Sequence, residues 1–239
     1  MTRGVLSQDD VVRLLTDPSG EARAATAAKI AADFGRGGLA PAERKIAEKI
    51  SRLMVRDAEV RVREALAENL KRARDVPHEV ALALAKDTDR VAEPILKFSE
   101  VLTDDDLVEI VRTQGPTKQV TIAGRSAVSE KVSASLVETR NEAAVQTLIA
   151  NEGAAISEKS LQKVVDDFGT REGIQASMVH RPKLPVTVAE RLVTLVSEKL
   201  RTELVSRHEL PAALATDLLL QSRERAVLGI SSEAEEKEV

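Results

Sequence analysis

Two His-Glu dipeptides are the residues of this sequence that come nearest to metal-binding chemistry. His78-Glu79 and His208-Glu209 each lie near a predicted helix start. A catalytic metal centre needs several side chains that converge on one point, but these dipeptides are far apart in the sequence. The third histidine, His180, is followed by an arginine. We interpret all three histidines as solvated residues near helix ends, so the sequence predicts no metal and no other cofactor.

A cluster of basic side chains is the second candidate for a functional site. It consists of Arg56, Arg61, Arg63, Lys71, Arg72 and Arg74. Acidic residues are interleaved with it, which favours a solvated helix face stabilised by pairs of opposite charge. Two functional hypotheses remain open: the cluster binds an acidic segment of a partner protein, or it binds nucleic acid. The net charge of −4 and the lack of Tyr and Trp, whose rings stack on bases, argue against nucleic acid.

No other motif indicates an enzyme. The run Gly35-Arg36-Gly37-Gly38 lacks the Gly-Lys-Ser/Thr that a phosphate-binding loop requires, so it predicts a flexible loop between helices. Ser129, which is predicted at a helix start, has no histidine close to it in the sequence that would suggest a hydrolase. The sequence therefore predicts a protein without catalytic residues.

The composition is typical of a helical protein from a reducing compartment. The 239 residues include three Phe and no Cys, and they are rich in Ala, Leu, Val and Glu. The first ten residues contain no apolar stretch that would make a secretory signal. No apolar run elsewhere approaches the length of a membrane span. We expect an all-α fold and a cytoplasmic location.

A repeated helix start organises the chain. An apolar residue precedes each start, and the spacing from Val76 onward is 26 to 28 residues. Seven of the eight following positions are Ser, Thr or Pro, which favour helix starts. Thr103 to Asp106 and Ser7 to Asp10 resemble capping boxes. The apolar residues are Leu6, Leu39, Val76, Leu102, Val128, Ile156, Leu184 and Leu210.

A second set of helices lies between these starts. Its predicted core residues recur about once per unit, at Leu66, Leu96, Ile122, Leu148 and Met178. Pro94 is expected near the start of its helix, where proline is tolerated. A single helix pair cannot bury its apolar face, so neighbouring pairs must stack. The sequence predicts a right-handed α-solenoid of stacked antiparallel helix pairs.

The C-terminal part is predicted to cap this stack. From Thr187 to Leu204 the apolar spacing persists for several turns, which predicts one helix longer than the others. A last helix is predicted over residues 211–228. We therefore divide the chain into helical repeats over residues 1–183, a helical cap over 184–230 and an acidic disordered tail over 231–239.

Two short runs resemble known helical repeats. Residues 57–61, Asp-Ala-Glu-Val-Arg, resemble the Asp-x-x-Val-Arg signature of HEAT repeats, and residues 87–91 are similar with Arg and Val exchanged. Residues 200–211 and 223–226 resemble an alphaproteobacterial HEAT-like family, the domain of unknown function 2336. The resemblance implies a bacterial α-solenoid and supplies no catalytic residues.

The function predicted from the sequence is a non-catalytic scaffold. Solenoids present an extended surface, so we expect it to bind a helix or an extended peptide of another protein. HEAT-like enzymes that bind a di-iron centre through paired His-Glu motifs leave a metal-dependent enzyme as one alternative. Nucleic-acid binding through the Arg56 to Arg74 cluster is the other.

Overall fold

The computed structural model describes residues 12, 16, 17, 19–36 and 39–208, and short turns and loops connect its helices. They contain thirteen helices and no strand, and one isolated β-bridge joins Val128 to Ala154. The helices are α1 (Gly20–Arg36), α2 (Pro41–Met54), α3 (Val60–Leu70), α4 (His78–Ala85), α5 (Asp89–Phe98), α6 (Asp104–Thr113), α7 (Pro116–Ala123), α8 (Glu130–Glu138), α9 (Glu142–Ala150), α10 (Glu158–Phe168), α11 (Glu172–Val179), α12 (Val186–Val193) and α13 (Glu198–Arg207).

The helices form two rows. Each odd-numbered helix packs against the next odd-numbered helix, from α1 through α13. In the other row α6, α8, α10 and α12 pack against one another in the same order. Short loops join each even-numbered helix to the odd-numbered helix that follows it. The predicted all-α fold is confirmed, and the contacts are those of stacked helix pairs. The right-handed sense of the stack stays a prediction.

The predicted helix starts at Thr103, Ser129 and Ser157 are confirmed. Each hydroxyl accepts a hydrogen bond from the backbone amide three residues later. The capping box at Thr103 is complete, because the Asp106 carboxylate accepts a hydrogen bond from the Thr103 amide at 2.7 Å. These bonds satisfy amides that a helix leaves without partners in its first turn.

The core is formed as the repeat predicts. The five recurring residues of the second helix set, from Leu66 to Met178, are fully buried. The apolar residues before the helix starts, from Leu39 to Leu184, are buried or pack against the core. One contiguous core is therefore shared by the described helix pairs, from Ala27 to Leu204.

The predicted long helix from Thr187 to Leu204 is wrong. A turn over residues 194–197 separates α12 from α13. Ser197 is the extended N-cap residue of α13, and the Arg201 Nε donates a hydrogen bond to the Val193 carbonyl at 3.1 Å. Leu204 is buried after the turn. The apolar spacing thus continues although the chain changes direction, so spacing alone does not report the turn.

Some expectations concern residues outside the described ranges. These are the capping box from Ser7 to Asp10, the last helix over 211–228 and the acidic tail over 231–239. Among the helices described, none is both long and apolar enough to cross a membrane.

Candidate functional site

A groove of about 550 Å³ runs between α3 and α5 on the odd-numbered row. Its apolar surface comes from Ala65, Pro94 and Phe98. Charged side chains of both signs line the same groove. They are Arg61, Glu64 and Glu68 of α3 and Arg90, Glu93 and Lys97 of α5. We call this feature the α3–α5 groove.

Three cationic side chains surround the Phe98 ring at one end of the α3–α5 groove. The Arg72 guanidinium carbon lies 4.5 Å from the ring centroid, the Lys71 Nζ 5.2 Å and the Lys97 Nζ 5.6 Å. All three lie within the distance at which a ring quadrupole attracts a cation. Phe98 is half-buried, and Arg72 and Lys97 are exposed. We call these four residues the Phe98 cluster.

The structure separates the six basic residues that the sequence groups together. Lys71 and Arg72 belong to the Phe98 cluster. Arg74 lies beyond it and pairs with Glu100 at 2.9 Å. Arg56 is exposed and precedes the N-terminal end of α3, whereas Lys71 and Arg72 follow its C-terminal end. The eleven residues of α3 between them span about 16 Å.

Arg63 is a structural residue. Its guanidinium donates two hydrogen bonds to the Asp87 carboxylate and one to the Asp57 carbonyl at 2.6 Å. Burial alone would raise the pKa of Asp87, but the bonds from Arg63 and the Thr88 amide outweigh it, so the pKa lies below its ordinary value. Arg61, the arginine of the HEAT-like run, instead pairs with Glu59 at 3.4 Å on the surface. Arg63, and not the arginine of the HEAT-like run, therefore joins the two helix pairs.

Each of the three histidines bonds to a neighbouring helix pair. His78 Nε2 lies 2.8 Å from Asp106 Oδ2, and His180 Nε2 lies 3.0 Å from Glu203 Oε2. The ring of His208 is buried, and its Nε2 lies 2.9 Å from the Val179 carbonyl. Within the described ranges no three His, Asp or Glu side chains are grouped closely enough to hold a metal ion. The histidines thus join repeats to one another.

One side chain after each of α7, α9, α11 and α13 bonds to carbonyls at the end of the preceding odd-numbered helix. Arg125 donates to the carbonyls of Leu96 and Ser99 at the end of α5, and burial lowers the pKa of Arg125. Asn151 does the same for α7, Arg181 for α9 and His208 for α11. We call these four residues the capping ladder. It supplies donors for carbonyls that have no partner within their own helix.

Sequence reasoning missed Phe98, Lys97 and Arg90 as members of the site. They belong to the next helix pair, and only the packing of α5 on α3 brings them beside Lys71 and Arg72. Phe98 carried one usable signal, because it is one of three aromatic residues in the chain. A half-buried aromatic ring in a chain with so few aromatic residues is a candidate contact residue.

A second groove, of about 350 Å³, lies between α9 and α11 on the same row. Gln146, Ser177 and His180 are among its lining residues, and no Phe lies there. It has the same position relative to its helices as the α3–α5 groove but lacks the ring and the convergent cations. The α9–α11 groove therefore serves as a negative control for binding in the α3–α5 groove.

The two rows of short helices define this molecule as a helical-repeat protein with a groove between successive helices of one row. Residues 91–239 match the family described as "Uncharacterised protein conserved in bacteria (DUF2336)". Because this match covers more than half of the sequence, the chain belongs to that family. No curated protein and no solved structure matches it.

Proposed function

We propose that this protein is a non-catalytic scaffold that binds a segment of another protein in the α3–α5 groove. The observation that supports this most directly is the groove itself, in which Ala65, Pro94 and Phe98 form an apolar surface between charged side chains. Protein interfaces combine a central apolar contact with a polar rim in this way. We place this role in the cytoplasm.

The balance of charge along the groove favours a peptide over nucleic acid. Arg61, Arg90 and Lys97 are matched by Glu64, Glu68 and Glu93, so the lining carries no net charge. A nucleic-acid strand brings a continuous row of phosphates and is held by an excess of Lys and Arg. A peptide carries both signs of charge and can pair with both kinds of side chain.

The affinity should come from few anchors. Phe98 is the one aromatic side chain in the groove, and aromatic and arginine side chains contribute most of the energy of protein interfaces. The partner would therefore be bound with modest affinity unless further helix pairs also make contact. This fits a scaffold that holds a partner reversibly.

Site-specific photocrosslinking in the bacterium that encodes the protein tests this proposal. A benzophenone amino acid at Glu93, in the groove, should give one reproducible covalent adduct. The same residue at Lys159, which is exposed on α10 in the other row, and at Gln146, in the α9–α11 groove, should not. Equal adducts at all three positions, or none at Glu93, would rule out the α3–α5 groove as the binding surface.

A further inference from the structure

We propose that the Phe98 cluster binds the acidic side chains of a peptide segment that lies in the α3–α5 groove. This deepens the proposed function and rests on it, because it states which chemistry the partner must carry. The partner segment has carboxylates at the Phe98 end and apolar side chains over Ala65 and Pro94.

The first argument is the charge left unmatched around the Phe98 ring. Lys71 pairs with Glu68, but Arg72 and Lys97 have no carboxylate partner within the part of the chain that the structure describes. Elsewhere most arginines are paired, as Arg74 is with Glu100. Arg72 and Lys97 lie 4.5 and 5.6 Å from the centroid of the same ring, so both present an unpaired positive charge at one end of the groove. A carboxylate of a bound peptide would pair with these charges.

The second argument is a backbone acceptor beside the groove. The sequence predicts Pro94 near the start of its helix, but it is the sixth residue of α5. Proline has no N–H, so the Arg90 carbonyl lacks the donor that an ordinary residue at position 94 would supply. Both Arg90 and Pro94 line the groove. A peptide that enters the groove brings backbone and side-chain N–H groups that can bond to this carbonyl.

The two features together select an acidic peptide. Carboxylates match the unpaired Arg72 and Lys97, apolar side chains match Ala65 and Pro94, and amide donors match the Arg90 carbonyl. A phosphate backbone satisfies the first feature alone and meets Glu64, Glu68 and Glu93 along the groove. The occupant is therefore a protein segment with an acidic end.

The test uses the full-length protein and a fluorescein-labelled peptide in which three glutamates precede alternating leucine and alanine. Fluorescence anisotropy measures its Kd at low and at physiological salt. We expect the double variant Arg72→Glu, Lys97→Glu to weaken binding at least about tenfold, since each charge reversal replaces an attraction by a repulsion. Phe98→Leu keeps an apolar side chain but removes the aromatic face, and should weaken binding about threefold.

Arg56→Glu is the matched control, because Arg56 is also exposed and without a carboxylate partner among the described residues but lies at the other end of α3. It should leave the Kd within about twofold, as expected for a charge far from the contact. Circular dichroism and urea midpoints must show that all variants are folded. A peptide with lysines in place of the glutamates should not bind.

Equal loss of affinity with Arg56→Glu, equal binding of the lysine peptide, or displacement of the acidic peptide by a single-stranded oligonucleotide of equal charge would overturn the inference. Absence of acidic-peptide binding while the Glu93 adduct persists would overturn the acidic occupant and leave the scaffold function standing. Absence of both would remove the scaffold function as well.

Discussion

Arg63 and Asp87 form a paired contact between two successive helix pairs. The Arg63 Nε lies 2.6 Å from Asp87 Oδ2 and the Nη2 lies 3.0 Å from Oδ1, and the two side chains are 14% and 13% exposed. Arg23 meets Asp57 in the same way one helix pair earlier, at 2.9 and 3.0 Å. The repetition indicates that this contact sets the spacing of the odd-numbered row at its N-terminal end.

Replacing Arg63 should therefore destabilise the stack. We expect Arg63→Ala to lower the free energy of unfolding by about 2 kcal/mol, because the largely buried Asp87 carboxylate loses two charge-assisted hydrogen bonds. Arg61→Ala, in the same helix but 62% exposed, should change it by less than about 0.5 kcal/mol. Urea unfolding of both variants measures the difference. Equal effects would show that the paired contact is not a determinant of stability.

Arg125 should be as important as Arg63, although it pairs with no carboxylate of the described residues. Its guanidinium donates to the carbonyls of Leu96 and Ser99, which Arg125→Ala would leave with unpaired oxygens. We expect a loss of about 1–3 kcal/mol in unfolding free energy, the cost of leaving buried acceptors unsatisfied. Arg112→Ala, which removes a surface ion pair with Glu138, is the control and should be nearly neutral.

The contact between His78 and Asp106 should make the protein sensitive to acid. Burial alone would raise the pKa of Asp106, but hydrogen bonds from His78 and Thr103 outweigh it, and the pKa lies below its ordinary value of 3.8. The ionised carboxylate thus stabilises the folded state at neutral pH. This contribution is present above about pH 4 and is lost as the pH falls through the lowered folded pKa.

Asp106→Asn tests this dependence, because it keeps the shape of the side chain and removes its ionisation. We expect the stability difference from the parent protein to be largest near pH 7 and to shrink as the pH falls below about 4. Asp105→Asn is the control, since that side chain is 84% exposed and forms a surface ion pair with Lys131. A difference that stays constant down to pH 3 would contradict the prediction. The stability difference is measured from urea unfolding midpoints between pH 7 and pH 3.

Gly153 should not tolerate a side chain. A Cβ atom there would lie 2.0 Å from the Ser126 carbonyl oxygen, which belongs to the backbone and cannot swing away. We expect Gly153→Ala to cost about 2 kcal/mol, as overpacking does. It should also speed hydrogen exchange at the Ala155 amide, which donates to the Val128 carbonyl at 2.8 Å. Gly115→Ala, where nothing lies within 4 Å, should slow or leave unchanged the same exchange.

Local patterns in the sequence are sufficient to predict most of the helices and the core residues. Thr103 and Asp106 are three residues apart, so their capping box follows from helix geometry alone. Leu66 and Leu96 are buried because they stand on the apolar face that any packing of that helix must cover. Such features need no knowledge of which helix lies next to which.

The contacts between helix pairs could not be read in the same way. Arg125 and Leu96 are 29 residues apart, and an arginine that caps a distant carbonyl looks no different in sequence from a solvated one. For the same reason the basic cluster from Arg56 to Arg74 combines residues with different roles. It contains the structural residue Arg63, surface ion pairs, and Lys71 and Arg72, which are two of the three cations over Phe98. Only the placement of α5 against α3 separates them.

The capping ladder has a consequence for how the protein responds to force. Its bonds span 26 to 32 residues, and each bond reaches the adjacent helix pair. None of these hydrogen bonds joins helix pairs that are distant from each other in the described stack. Pulled lengthwise in an optical trap, the stack would yield in a succession of small extensions rather than one large rupture. When the force is removed, the stack would refold quickly, because its contacts join segments that are close in the sequence.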